Sequence, residues 1–130
     1  TLAAAIQIGA PVSIKKAIRT LQAFDGIAED ASEEELANVA GRANRTGLLC
    51  CPHTAVALAV MEKLVKRGDI KKSERVIVIS TANGLKFSEF LNNYHANKIS
   101  GVDSEFVYKP YELSPDYDQV RDAIFQNLEG

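Results

Sequence analysis

Cysteine is scarce in this sequence, and the two cysteines present, Cys50 and Cys51, are neighbours. Adjacent cysteines rarely pair, and a disulfide framework needs spaced partners. A disulfide scaffold is excluded, and a reducing compartment is expected. Charge of one sign is also lacking: the net charge is -2. That leaves no basic stripe for nucleic acid and no polybasic anchor for a membrane. No apolar run reaches membrane-spanning length, and no signal-peptide pattern is legible. No internal repeat or low-complexity segment occurs. Cys50, Cys51 and His53 stand too close together, with too few ligands, for a zinc site. Methionine occurs once, at Met61. The chain opens at Thr1-Leu2-Ala3-Ala4-Ala5-Ile6, already inside an apolar stretch and without a capped first element. It reads as the C-terminal part of a longer polypeptide.

What remains is an ordinary globular composition. The 130 residues are 46% apolar, enough for a real core in one domain or a piece of one. Helices and apolar runs alternate. Ser13 is a candidate N-cap, followed by Ile14, Ala17, Ile18 and Leu21 on one helical face. Asp25-Gly26 ends that helix. Ser32 and Glu35 form a capping box. Leu36, Val39, Ala40 and Ala43 carry the stripe to Arg45, and Gly47 stops it. Residues 54–66 are apolar nearly all round, which predicts a helix buried on most sides. Lys86 to His95 reads as a helix or a turn of one. Ser114-Pro115-Asp116 starts a last amphipathic helix through Val120, Ile124 and Leu128.

Between the helices lie four strand candidates: Ile6–Ile8, Ile27-Ala28, Leu48–Cys51 and the β-branched run Arg75–Ile79. The alternation predicts an α/β fold, a partial three-layer α/β/α arrangement on a mostly parallel sheet. Val102 to Tyr111 has aromatics without a period and is expected to be an extended arm.

The segment after Arg75–Ile79 carries the most chemistry. In an open α/β sheet the ligand crevice lies beyond the carboxyl ends of the strands. Ser80-Thr81-Ala82-Asn83-Gly84-Leu85-Lys86 puts two hydroxyls, an amide and a glycine turn there. Thr81 is the candidate ligand contact. The competing reading is that Ser80 and Thr81 only satisfy backbone groups of the turn. Asn83-Gly84 is first of all a turn dipeptide.

Cys51-Pro52-His53-Thr54 is the second constellation, at a strand-to-helix junction. Thr54 is the expected cap. Pro52, His53 and Thr54 are candidate cleft-lining residues, with Ser80 and Asn83. His53 is either an acid or base near neutral pH or a structural imidazole. Cys50 and Cys51 read as small buried hydrophobes. Lys86 reads as a solvated lysine, and Tyr94 and His95, late on a polar helix, receive no role.

Taken together, Ala5-Ile6-Gln7-Ile8-Gly9-Ala10-Pro11-Val12-Ser13, Thr46-Gly47 with Cys51-Pro52-His53-Thr54-Ala55, and Ser80 through Phe87 resemble the C-terminal part of the plant-like threonine synthases. These belong to the tryptophan synthase β-type group of pyridoxal-phosphate enzymes. The likeness runs from Thr1 to about Tyr94 and is thin beyond Ser100. It implies that residues 1–100 are the C-terminal part of a cofactor-binding catalytic domain, with residues 101–130 a C-terminal arm and helix. It implies conversion of O-phosphohomoserine and water to L-threonine and phosphate, with pyridoxal phosphate as electron sink. It places the family's ring-nitrogen partner at Thr81. The Schiff-base lysine and the phosphate cradle would lie upstream, and Lys86 is not that lysine. The 130 residues alone are therefore expected to be inactive, and the full-length form to be a homodimer. A plant or algal source implies the plastid stroma, another source the cytoplasm. The rival readings are another lyase of the group, such as a threonine dehydratase, and a non-catalytic α/β binding module.

Overall fold

The computed structural model of the protein describes residues 1–128. Five α-helices carry it: α1 Ile14–Ala23, α2 Glu33–Asn44, α3 Pro52–Arg67, α4 Ser88–His95 and α5 Tyr117–Leu128. Short 3-10 turns occupy Ala4–Ile6 and Gly84–Phe87. Of the arm and helix segment 101–130, residues 129 and 130 lie outside the described residues.

The expected sheet is not formed among the described residues. Extended pairing is reduced to a single antiparallel bridge, Cys50 to Asn83. Ile6–Ile8 overlaps a 3-10 turn instead of forming a strand, and Ile27-Ala28 stays irregular. Arg75–Ile79 has no ladder, and Ile77 and Ile79 are 87% and 77% exposed. The physical reason is the non-local nature of a strand. A β-branched run becomes a strand only when a neighbour takes its N–H and C=O groups. No second extended run lies beside it here.

The helices form where local signals favour them. Ser32 Oγ accepts from the Glu35 N–H at 3.1 Å, and Glu35 Oε2 accepts from the Ser32 N–H at 2.7 Å. That reciprocal box satisfies two donors the first turn would orphan. Ser13 stands at the start of α1 without a side-chain cap bond. The start of α5 is capped by Asp116, whose Oδ1 accepts from the Gln119 N–H at 3.0 Å. The helix begins one residue later, so Pro115 is not its first residue.

The core gathers around α2, which buries six successive residues, Leu36 through Gly41. Leu36, Ala37 and Ala40 meet Ala55 of α3 and Phe90 and Tyr94 of α4. A β-carbon at Gly41 would stand 2.5 Å from the Tyr94 ring, so only glycine lets that ring lie against α2. The chain 29–35 is tied to α3 by ion pairs of Glu29, Asp30 and Glu35 with Lys63, and of Glu29 with Arg67. Exposed pairs of this kind are worth little stability. The all-round burial expected for α3 is not reached. Only Pro52, Thr54, Ala55 and Ala59 are buried, and Val65 is exposed.

The segment after Ser100 forms no helix or strand before α5 and carries turns at 101 and 105–106, and side chains fasten it. Asn38 Nδ2 donates to the Asp103 carbonyl at 2.9 Å, and its Oδ1 accepts from the Glu105 N–H at 3.0 Å. The same Oδ1 accepts from the Tyr94 hydroxyl, which in turn accepts from the Phe106 N–H. His95 Nδ1 accepts from the Tyr108 N–H at 3.2 Å, and its ring lies 3.6 Å from the Tyr108 ring. Tyr94 and His95, without a role in the sequence reading, are the clamp of the arm.

His95 must be neutral to accept at Nδ1, which leaves the proton on the buried Nε2. Burial pushes its pKa below the ordinary 6.5. The unfolded chain therefore binds this proton first as the pH falls. Stability contributed here is present above about pH 6.5 and lost below it. Urea midpoints measured from pH 8 to 5 should fall through that window, and the His95→Gln variant should show less of the fall. Identical pH profiles for the two proteins would contradict this assignment.

Candidate functional site

The junction Leu49–Thr54 and the loop Ser80–Leu85 meet at one edge of the core. Pro52 opens α3, where its missing N–H is no loss. Cys51 before it takes an extended conformation, and its Sγ accepts from the Thr54 N–H at 3.4 Å. The cap is thus Cys51 and not the expected Thr54. With proline in the first helical position, the residue preceding it is the one whose side chain reaches the free N–H groups.

Thr54 is buried beneath the loop. Its Oγ1 stands 3.2 Å from Cys51 Sγ and 3.4 Å from Ser80 Oγ, and accepts from the Thr81 N–H at 3.3 Å. Thr81 Oγ1 lies 3.6 Å from Cys51 Sγ. Four side chains therefore bind the loop to the helix start. Nearby, the Gly84 N–H donates to the Leu49 carbonyl at 2.9 Å. A β-carbon at Gly84 would meet the Cys50 carbonyl oxygen at 2.8 Å, so this close approach requires glycine. Asn83 Oδ1 accepts from the Leu85 N–H at 2.9 Å, the turn role its dipeptide predicts.

The loop and Gly47–Leu49 line an open depression of about 400 Å³. Ser80, Thr81 and Asn83 are on its wall, and all three are exposed. Thr54 lies underneath. Pro52 and His53 are not on the wall. Pro52 is buried, and His53 accepts at Nε2 from the Ala5 N–H at 2.9 Å and sets its ring edge against Phe87. Lys86 lines a different depression, with Phe87 and Phe90. No lysine or arginine is among the residues lining the Thr81 depression.

Cys51 was legible in the sequence only as a buried hydrophobe. Burial pushes its thiol up, but hydrogen bonding with the Thr54 hydroxyl and N–H, the Thr81 hydroxyl and His53 outweighs this and brings it to about 6. A helix N-terminus favours the thiolate in the same sense. Cys50, one residue away, is pushed up by burial and by its neighbour. Two adjacent buried thiols thus differ because Cys51 has several hydrogen-bond partners and Cys50 only its own backbone.

No family model matches the chain. Individual relatives do. The chain is 40% identical over 130 residues to "Threonine synthase 2, chloroplastic" of Arabidopsis thaliana, covering 100% of this chain and 25% of that protein. It is 36% identical over 87 residues to the threonine synthase of Methanocaldococcus jannaschii, covering 66% of this chain and 22% of the relative. It is 31% identical over 126 residues to that of Methanosarcina acetivorans, covering 96% and 28%. The chain spans about a quarter of the length of these curated relatives. Matched along its whole length by a plant enzyme and over much of it by two archaeal ones, this chain is a segment homologous to the threonine synthases.

Proposed function

We propose that the chain is the part of a threonine synthase that holds the ring end of pyridoxal phosphate. The whole enzyme converts O-phosphohomoserine and water to L-threonine and phosphate. The observation that carries the reading is the Thr81 hydroxyl, exposed at the end of a loop pinned to α3, in a chain similar throughout to threonine synthases. When bound, pyridoxal phosphate supplies the electron sink. The donor set suits its ring: neutral hydroxyls on the wall, with no lysine or arginine there to favour the phosphate. A hydroxyl partner holds a ring nitrogen protonated less firmly than a carboxylate does, and so moderates carbanion stabilisation. Thr81 is the ring partner, Ser80 and Asn83 shape the rim, and Thr54 supports the loop. Pro52 and His53 fix the helix start and the chain near Ala5.

The same reading accounts for the open apolar runs. Leu48–Cys51 and Arg75–Ile79 serve as strands of a mostly parallel sheet when the rest of the enzyme supplies their neighbours, covering Ile77 and Ile79. Residues 1–100 then belong to the cofactor domain and 101–130 to an appended arm. The partners are O-phosphohomoserine, the rest of the polypeptide and a second subunit. A plant or algal source places the protein in the plastid stroma, as the name of the Arabidopsis relative suggests, and any other source in the cytoplasm. No described helix is long and apolar enough to cross a membrane.

The test is an assay of the complete enzyme and of the 130-residue chain, each with added pyridoxal phosphate and O-phosphohomoserine. The complete enzyme should release phosphate and L-threonine in equal amounts, and the chain alone should release neither. Turnover by the chain alone, or a complete protein that consumes threonine instead, would overturn the proposal.

A further inference from the structure

We infer that His53 is a positioning residue that anchors the far end of the cofactor loop, with the backbone of Ala5 holding its imidazole in place. The inference rests on the reading of Thr81 as ring partner. The loop Ser80–Phe87 meets the start of α3, and two successive residues there take hold of its two ends. Thr54 Oγ1 accepts from the Thr81 N–H at 3.3 Å and lies 3.4 Å from Ser80 Oγ. His53 sets its ring against that of Phe87, with centroids 5.3 Å apart and planes at 62°. Phe87 ends the turn Gly84–Phe87 and directly precedes α4. Its ring therefore sets where the loop hands over to a helix packed in the core through Phe90 and Tyr94.

An edge-on contact between rings depends on the angle of both. Two things fix the angle of His53. Its backbone belongs to the first turn of α3, directly after Pro52. Its Nε2 accepts from the Ala5 N–H at 2.9 Å, across 48 positions of sequence. A backbone N–H can only donate, so Nε2 offers its lone pair and the proton of the neutral ring is on Nδ1. Ala5 is itself held in a turn, where the Ile6 N–H donates to the Ala3 carbonyl at 3.0 Å and the Gln7 N–H to the Ala4 carbonyl at 3.1 Å. The imidazole thus joins three segments distant in sequence: the turn Ala4–Ile6, the start of α3 and the end of the loop. The helix does not need this junction for its own sake. Pro52 and the Cys51 sulfur, which accepts from the Thr54 N–H, already close its first turn. Placement of the loop is what the junction adds.

The test is a double-mutant cycle in the complete enzyme, read as the dissociation constant of pyridoxal phosphate rather than as activity. The variants are His53→Ala, Thr81→Val and the pair. His53→Ala should weaken cofactor binding about fivefold when Thr81 is present and less than about twofold when Thr81 is already valine. His53→Phe restores a ring against Phe87 and leaves the Ala5 N–H without its acceptor. It should recover part of the loss, to about twofold, again only when Thr81 is present. Should the alanine variant not fold, the phenylalanine cycle decides. Equal losses in both backgrounds would mean that His53 serves the fold alone, overturning this inference while leaving Thr81 in place. A phenylalanine that recovers nothing would show that His53 does not act through Phe87, with the same consequence. Wild-type affinity in Thr81→Val would overturn the Thr81 reading and this inference with it.

Discussion

Replacing Asn38 by alanine should lower the unfolding free energy by about 3 kcal/mol. Asn38 is buried in the middle of α2 and its amide has three partners on two other segments. The Tyr94 hydroxyl belongs to a residue only 1% exposed and would lose its acceptor without access to water. A buried polar group left in that state costs roughly 1–3 kcal/mol. The Asp103 carbonyl and Glu105 N–H, on the edge of the arm, turn to water more cheaply. They still lose their hold on α2, and the small cavity left by the amide adds to the cost. Amide exchange of Glu105, Phe106 and Tyr108 should quicken together with the drop in stability, since the three share one clamp. Tyr94→Phe keeps the ring against Gly41 and removes the hydroxyl. Its cost should be smaller than that of Asn38→Ala and not additive with it. A change under about 0.5 kcal/mol in Asn38→Ala, with unaltered exchange in the arm, would show that the clamp does not hold the fold.

This clamp was not legible in the sequence. Asn38 sits inside an apolar stripe, and its partners Tyr94 and Glu105 are 56 and 67 positions away. Nothing local marks a polar residue as the anchor of a distant arm. The helices were legible because their signals are local: the Ser32–Glu35 box, the Asp25-Gly26 stop and the Gly47 stop all act over a few residues. Arg75–Ile79 shows the opposite case. Its composition is that of a buried strand, but composition supplies no neighbour, and Ile77 stays open to solvent. The candidate site falls between the two. Ser80, Thr81 and Asn83 were marked by their place after an apolar run, and the three do share one wall. Thr54 was assigned the cap that Cys51 holds, because hydroxyls cap far more often than thiols. The one hint was the proline that follows.

The second large effect concerns Thr81. Thr81→Val keeps the size and β-branching of the side chain and removes the oxygen. The loop should persist, because its ties run through the Thr81 N–H, the Ser80 hydroxyl and the Gly84 N–H. Stability of the complete enzyme should change little. The loss should appear in the cofactor: one hydrogen bond to the ring, made away from bulk water, is worth about 1–3 kcal/mol. That corresponds to roughly 5- to 150-fold weaker binding of pyridoxal phosphate, or to an equal loss in kcat/KM where the bond strengthens in the transition state. The Asn38 and Thr81 variants thus separate fold from chemistry. The first should unfold more easily while any folded fraction binds cofactor normally, and the second should fold normally and bind cofactor poorly.

The most direct measurement is a structure of the complete enzyme with pyridoxal phosphate bound. The account predicts the Thr81 oxygen within about 2.6–3.2 Å of the ring nitrogen, on the side of the loop that faces Gly47. A ring nitrogen partnered by any other side chain, with the Thr81 oxygen turned to solvent, would contradict it.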